Sequence, residues 1–340
     1  MKWLLITNNG NPGDIWVRLG VQQIIRRLDE KPIFIIRERD HRSTDPHHGL
    51  TEPEGGLKFD YSVICGMPLL WCHREPDGQL STTIQHSSWG AINGWCSRRP
   101  MIIAGFGILL ACKENMHDYD QPNKEVLSKI EDLFKKCKLV YARTPLAKKF
   151  WPDMRFLSCP SVLALPQDKE KDLKLANFMP GGGHYPGLAR KASEEMEKRM
   201  PDLAKRLIAA DWHFAAHRVA EEELALKLGW PKERIHTWKY DGSRGTLINA
   251  YARCSKYFGN RIHGAIMSRA AGAQAAVIAY DTRLAAVWSL GGYAFTPFDL
   301  PADFNLWIDE PPVALPFKID EAWQSHLNWW SSKLGLPIRQ

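Results

Sequence analysis

The sequence predicts an α/β protein built from two doubly wound domains facing a cleft. Short apolar runs alternate with helix-length amphipathic segments along most of the chain, which is the βα alternation of doubly wound sheets. Several of those runs, such as Ala275 to Tyr280, are apolar throughout, as expected for strands buried on both faces of a parallel sheet. With 340 residues, the chain can bury one large core or two moderate ones, and length favours two. The divisions fall at residues 1–165 for the first domain, 175–318 for the second and 319–340 for a terminal helix. No internal repeat is evident.

Composition narrows the function classes. Hydrophobic residues at 44% and charged residues at 24% are ordinary for a globular chain. A net charge of +7 and a pI near 9.0 point to an anionic substrate, an anionic membrane surface or nucleic acid. Nucleic acid ranks last, because no compact Lys/Arg run with interleaved aromatics appears. Seven cysteines without Cys-x-x-Cys spacing argue against a disulfide framework and a zinc ribbon. The opening MKWLLITNNGNPGD turns polar too soon for a signal peptide, and no run approaches the ~20 apolar residues of a membrane span. The expected location is cytoplasmic.

Trp3 to Ile6 reads as the first strand, and Thr7 to Asp14 as a glycine-rich turn. Ile15, Leu19, Ile24 and Leu28 then lie on one stripe of a helix. Strand, glycine loop and helix N-terminus form a general anion-binding arrangement, although the loop is neither a Walker loop nor a dinucleotide fingerprint. Asp14 alternatively only stabilises the first helical turn. Pro32 to Arg37 is the second strand. His41 to Gly56 is a polar loop whose histidines 41, 47 and 48 lack any metal-ligand spacing. Tyr61 to Cys65 is the third strand, ending at Gly66-Met67-Pro68. Trp71, His73, Trp89 and Trp95 follow, as core packing or as a platform for a sugar face.

Pro100 to Ala104 reads as the fourth strand, closed by Gly105-Phe106-Gly107. Asn123 to Lys136 has helical spacing of Val126, Ile130 and Phe134. Lys138 to Ala142 is a fifth strand ending at Arg143, with Thr144-Pro145 as N-cap and first residue of the next helix. Leu157 to Leu165 reads as a sixth strand leaving the domain, and Gln167 to Lys174 as a charged linker. A short strand at Asn177 to Pro180 leads to the triple glycine 181–183 and His184, a loop suited to approaching a phosphate or simply flexible. Helix Glu194 to Leu207, strand Trp212 to His217, helix Ala220 to Leu228, strand Arg234 to Trp238 and helix Gly245 to Cys254 follow. Asp320 to Leu334 is a last amphipathic helix carrying Trp323, Trp329 and Trp330, which packs back on the first domain or rests on a membrane surface.

The most informative stretch is Tyr251 to Arg283. Tyr257 to Gly259 closes a strand, Asn260-Arg261-Ile262-His263-Gly264 turns the chain, and Ala265 to Ala271 is a small-residue helix with Gly272 at its C-terminal cap. A second elbow carries Asp281 and Arg283. Such elbows lie beyond the carboxyl ends of strands, where open α/β sheets bind ligands. Two guanidiniums and an imidazole there suit a small, doubly charged anion, because Arg offers planar paired donors to carboxylate and phosphate.

The segment GNRIHGAIMSRAAGAQAAVIAYDTR resembles the C-terminal signature of the polysaccharide pyruvyltransferase family: an Arg-x-His-Gly elbow, a small-residue helix, a hydrophobic strand and a Tyr-x-x-Lys-like end, here closed by Arg283. Asn11-Pro12-Gly13-Asp14 is similar to the family's Asn-x-Gly-Asp element, and Arg143 matches the Arg of its Arg-x-x-Ser-like element. Met67, Pro68 and Cys159-Pro160-Ser161 depart from it, the last where the family carries an Asp-Pro-like pair. The resemblance implies a GT-B-like pair of Rossmann-like domains, the first on the acceptor side and the second carrying the donor signature. It implies transfer of a pyruvyl group from phosphoenolpyruvate to a sugar or lipid-linked saccharide as a ketal, with no cofactor and no metal. On this reading His263 and Asp14 are catalytic, and Asn11, Gly13, Arg143, His184, Arg261 and Arg283 bind substrate. The rival readings are a GT-B-like glycosyltransferase using a nucleotide sugar and a non-catalytic carbohydrate-binding relative.

Overall fold

The computed structural model describes residues 1–8, 12–39, 58–74, 77–85, 89, 92–93, 100–113, 117–166, 169–179, 188–238, 245–278, 281–295 and 317–339. Asn11, His184, Trp95, the triple glycine 181–183, the polar stretch 41–56 and residues 301–316 lie outside the described residues. The chain forms two compact units. Unit 1 holds Met1–Leu109, Gln121–Ala164 and Lys318–Gln340, and unit 2 holds Leu110–Asp120 and Leu165–Phe317. The segment 110–120 therefore clusters with unit 2, and the terminal helix with unit 1.

Unit 1 begins with β1 (Lys2–Asn8), α1 (Pro12–Arg26), β2 (Ile33–Arg39) and β3 (Tyr61–Cys65). A hairpin of β4 (Pro68–Arg74) and β5 (Leu80–Thr82) follows, then β6 (Met101–Leu110), α2 (Lys124–Lys135), β7 (Leu139–Ala142) and the short α3 (Ala147–Phe150). The parallel strands stand in the order β2-β1-β3-β6-β7, with β4 and β5 continuing from β6. This is the flavodoxin-like order, which reverses direction between β1 and β3. Pro12, Gly13 and Asp14, in the first turn of α1, therefore stand at the switch point of this sheet.

The sequence predicts an apolar stripe on α1, but the helix is buried nearly all round, Arg18 and Gln22 included. The reason is Gly20. A Cβ there would lie 1.8 Å from the carbonyl oxygen of Pro160, so its absence lets a second element press on the helix. That element is a 3-10 turn, Pro160–Ala164, standing where a sixth strand was expected. Pro160 has no N–H for a sheet ladder, and it also abuts Gly105 of β6. Gly105, at φ +64°, does not end its strand as expected but forms a bulge between Ala104 and Phe106, and β6 runs on to Leu110. The helix expected from Thr144-Pro145 begins two residues later, at Ala147.

Unit 2 contains β8 (Leu173–Asn177), α4 (Leu188–Ala209), β9 (His213–Ala216), α5 (Val219–Lys227), β10 (Ile235–Thr237) and α6 (Gly245–Ala252). It continues through β11 (Cys254–Gly259), α7 (Ile262–Ala270), β12 (Gln274–Ile278), α8 (Leu284–Trp288) and β13 (Tyr293–Phe295). Every strand pair is parallel, in the order β10-β9-β8-β11-β12-β13. Read by chain position this is 3-2-1-4-5-6, the Rossmann order, whose switch point falls between β8 and β11. β8 lies earlier than expected: the charges of the supposed linker fall on its flanks and on Lys174, while Leu173, Leu175 and Ala176 are buried. Phe178, Phe214, Trp230 and Phe258 meet edge to face in one core cluster below α4, and each such buried aromatic contributes about 1.5–3 kcal/mol.

The terminal helix α9 (Ile319–Leu334) spends its tryptophans on unit 1. Trp330 is fully buried, Arg27 lies over Trp323, and Arg155 and Lys333 both lie over Trp329. Among the described residues no helix is long and apolar enough to cross a membrane.

Candidate functional site

The first elbow of the signature stands at the switch point of unit 2. It is shorter than expected, because α7 starts at Ile262. Only Asn260 and Arg261 are outside the helix, while His263 and Gly264 belong to its first turn. Asn260 ties the two switch-point strands together: its N–H donates to the carbonyl of Asn177 at 3.3 Å, and its side-chain oxygen accepts from the N–H of Met179 at 3.0 Å. Arg261 is the N-cap residue, in extended conformation, and its carbonyl accepts the first helical bond, from Ala265. The N–H groups of the first turn have no intrahelical acceptor, so this helix end favours negative charge.

Beneath the elbow lies a buried polar network. Glu221, in the first turn of α5, is 1% exposed. Its Oε1 accepts both Nε (2.9 Å) and Nη2 of Arg261. Its Oε2 accepts the side-chain amide of Asn177 at 2.8 Å and the backbone N–H of His217 at 2.9 Å. Burying a carboxylate is tolerated where it is paired and its lone pairs are filled, and both conditions hold. The guanidinium of Arg261 is thus fixed along one edge while its side chain stays 15% exposed.

Next to this pair, the ring of His217 shares a 2.7 Å hydrogen bond with the hydroxyl of Tyr251. Burial, then Arg261 and Arg218, hold the His217 pKa well below the usual imidazole range, so the ring is neutral. Burial likewise raises the pKa of Tyr251 and of Tyr257, which keeps both phenols protonated as donors. Tyr257 donates to the carbonyl of Arg261 at 3.1 Å and so braces the N-cap. The two hydroxyls also explain the glycine of Arg-x-His-Gly: a Cβ on Gly264 would lie 2.5 Å from that of Tyr257 and 2.7 Å from that of Tyr251. His263 is half-buried on the same turn.

The second elbow is built differently. Arg283 clasps Asp281 through Nε at 2.9 and 3.1 Å and Nη2 at 2.7 Å, and its backbone N–H donates to the same carboxylate. Asp281 is buried, whereas the Arg283 side chain is 39% exposed. The elbow is tied to the 110–120 segment by Thr282, which exchanges two hydrogen bonds with the backbone of Leu110.

In unit 1, Gly13 and Asp14 are buried at the start of α1, and Arg18 follows one turn later. Both charges act on the thiol of Cys65 at the end of β3, where burial pushes the pKa up to about 12. Arg143, immediately after β7, is 6% exposed. Its guanidinium lies so close over Gly107 that a Cβ there would be 3.0 Å from Nη2, and Nη1 stands 3.9 Å from the sulfur of Cys159. Cys159, at one of the departures from the family pattern, therefore lies beside this Arg, and the hydroxyl of Ser161 donates to the same sulfur at 3.2 Å.

Arg261 and His263 are brought together in unit 2, and Gly13 and Asp14 in unit 1. Sequence reading missed Glu221, Asn177, Tyr251 and Tyr257. Nothing local marks them: Glu221 opens a Glu-Glu-Glu run that reads as a solvated helix face. Among the described residues no group of three or more His, Cys, Asp or Glu is placed to hold a metal ion.

Comparison with known proteins gives a family and a fold. A family model for polysaccharide pyruvyl transferase matches residues 11–282. No curated protein sequence matches the chain. Among solved structures, the UDP-GlcNAc 2-epimerase of Neisseria meningitidis bound to UDP-GlcNAc is similar with a TM-score of 0.56 at 11% identity, covering 98% of this chain and 100% of that one. A putative UDP-N-acetylglucosamine 2-epimerase of Listeria monocytogenes gives a TM-score of 0.54 at 12% identity over 98% and 96% of the two chains. MnaA of S. aureus with UDP gives 0.51 at 11% over 100% and 98%. At these identities the likeness shows the fold alone, a GT-B-like pair of Rossmann-like units.

Proposed function

The chain belongs to the polysaccharide pyruvyl transferase family, and from that premise we propose that it transfers a pyruvyl group from phosphoenolpyruvate to a sugar of a polysaccharide or its precursor, forming a ketal. The observation that carries this reading is the placement of Arg261 and His263 on the first turn of α7, at the switch point of the unit 2 sheet. Phosphoenolpyruvate is a compact anion with a carboxylate and a phosphate. A braced guanidinium beside a helix N-terminus matches that charge.

The chemistry balances without a redox partner. The enol carbon takes a proton, one sugar hydroxyl adds to the neighbouring carbon, the bond from that carbon to phosphate breaks, and the second hydroxyl closes the ketal. Of the two hydroxyl protons, one replaces the proton gained by carbon and the other leaves with phosphate. His263 is assigned the proton delivered to the enol carbon, since imidazole is the side chain suited to acid catalysis near neutral pH. Arg261 and Arg283 are assigned to the donor's anionic groups. His217, neutral and buried, is not the acid. In unit 1, Gly13 and Asp14 are assigned to the acceptor, with Asp14 as base on its hydroxyl, and Arg143 and Asn11 to substrate binding; His184, in the second unit's stretch of chain, is also assigned to substrate binding.

Thermal denaturation tests the donor. A ligand that binds only the native state raises the melting temperature with its concentration. Phosphoenolpyruvate should do so and UDP-GlcNAc should not. The reverse pattern would replace pyruvyl transfer with nucleotide-sugar chemistry. Response to neither would leave a carbohydrate-binding relative.

A further inference from the structure

Building on the assignment of the β11–α7 elbow to the donor anion, we propose that Glu221 is the positioning residue of that site: it holds the Arg261 guanidinium in place through a carboxylate that the ligand never touches.

Two features of the pair separate positioning from a surface ion pair. First, the carboxylate is saturated from behind. Oε2 is occupied by the amide of Asn177 and the backbone N–H of His217, so Glu221 has one setting, and Oε1 presents a single point to which Nε and Nη2 both bind. Second, the donors to Glu221 come from the ends of three neighbouring strands. Asn177 closes β8, His217 follows β9 and Arg261 follows β11. The carboxylate therefore locks the guanidinium to the sheet edge where the crevice lies, and not only to its own helix. Nη1 of Arg261 donates no hydrogen bond among the described residues, which leaves that edge of the fork for a ligand oxygen. A guanidinium fixed beforehand loses less freedom on binding, and fixed donors also act better on charge that develops during reaction.

An opposite effect competes with this one. Glu221 neutralises the charge that attracts the anion, so removing the carboxylate would free a full positive charge. Positioning wins on this geometry because a Gln at 221 has one acceptor oxygen for donors that now use two. Either Arg261 or the Asn177–His217 pair is left facing an amide N–H, and the guanidinium loses its anchor.

A double-mutant cycle decides it, with binding of phosphoenolpyruvate read by calorimetry on wild type, Glu221→Gln, Arg261→Lys and the double variant. Because Glu221 acts through Arg261, E221Q should weaken binding tenfold or more in the wild-type background and leave it unchanged in the R261K background. Glu221→Asp, which keeps the charge, should recover part of the loss. Leu203→Ala, a core truncation on α4 outside the Glu221–Arg261 hydrogen-bond network, controls for general destabilisation and should bind the ligand as wild type does. Equal affinity in E221Q and wild type, or the same tenfold loss in both backgrounds, would overturn the proposal. If wild type binds UDP and not phosphoenolpyruvate, the donor assignment fails alone and the same cycle is read on UDP. If it binds neither, both inferences fail.

Discussion

A guanidinium recognises an anion well only when it is held still before the ligand arrives. Arg261 meets that condition at a cost: it stands within a buried pair, so Arg261→Ala strips Glu221 of its cation as well as the site of its donor. Breaking a buried pair in this way typically costs about 3–5 kcal/mol, which is why Arg261→Lys is the more informative change. His326 shows a different single-residue effect. It is fully buried in α9, its Nε2 donates to the carbonyl of Ser158 at 3.1 Å, and burial lowers its pKa to about 4. The fold thus disfavours the protonated ring. Its contribution to stability is complete above the unfolded value near 6.5 and is lost as pH falls from there towards 4, on the order of 3 kcal/mol in all. Melting temperature measured across that range should fall less steeply in His326→Gln than in wild type, and identical slopes would show that burial does not hold the ring neutral. Sequence alone marks Arg261 and His263, because an Arg two residues before a His at a strand-to-helix elbow is legible locally. It cannot mark Glu221, whose partner lies 40 residues further along the chain.

At the scale of elements, the elbow depends on what it lacks. Tyr251 from α6 and Tyr257 from β11 press their hydroxyls against the first turn of α7 where Gly264 has no side chain. Gly264→Ala should therefore destabilise the protein by about 1–3 kcal/mol, as overpacking does. Adding Tyr257→Phe, which removes one of the two opposing hydroxyls, should recover part of that loss. Denaturation midpoints of the single and double variants check this, and a Gly264→Ala protein as stable as wild type would contradict the packing described. Most strands were legible as apolar runs, since strands buried on both faces of a parallel sheet need no polar alternation. The exceptions share a cause, a backbone feature set by a distant partner. The run at 157–165 touches the sheet only at its start, where Leu157 donates to the carbonyl of Ala142, and beyond that it is apolar because Pro160–Ala164 wedges against α1 and β6. Gly105 bends β6 without stopping it, and whether a glycine bends or breaks a strand is decided by neighbouring strands. Asn260 and Arg261 form a short elbow whose N-cap carbonyl is braced by the hydroxyl of Tyr257.

On the scale of the whole molecule, each unit carries some of its candidate residues at the reversal of its own sheet, Gly13 and Asp14 between β1 and β3, Arg261 and His263 between β8 and β11, while Arg143 and Arg283 follow β7 and β12. Parallel sheets leave strand ends and helix N-termini on the same edge, so the reversal is where a crevice with free N–H donors opens. The alternation of runs and helices made the two α/β units legible. Neither the interleaved division of the chain nor the strand orders follow from periodicity, because they are settled by long-range pairing. The fold is shared with enzymes of nucleotide-sugar chemistry, so the fold cannot decide the donor, and only the chemistry transferred can. The measurement that does so supplies isotope-labelled phosphoenolpyruvate with candidate saccharide acceptors and follows label and phosphate together. Wild type should pass the pyruvyl label into the saccharide as one phosphate is released per label transferred. His263→Gln, which cannot deliver the proton, should do so about a hundredfold more slowly. Label that stays on phosphoenolpyruvate while a UDP-sugar is consumed, or a His263→Gln variant as fast as wild type, would contradict the account.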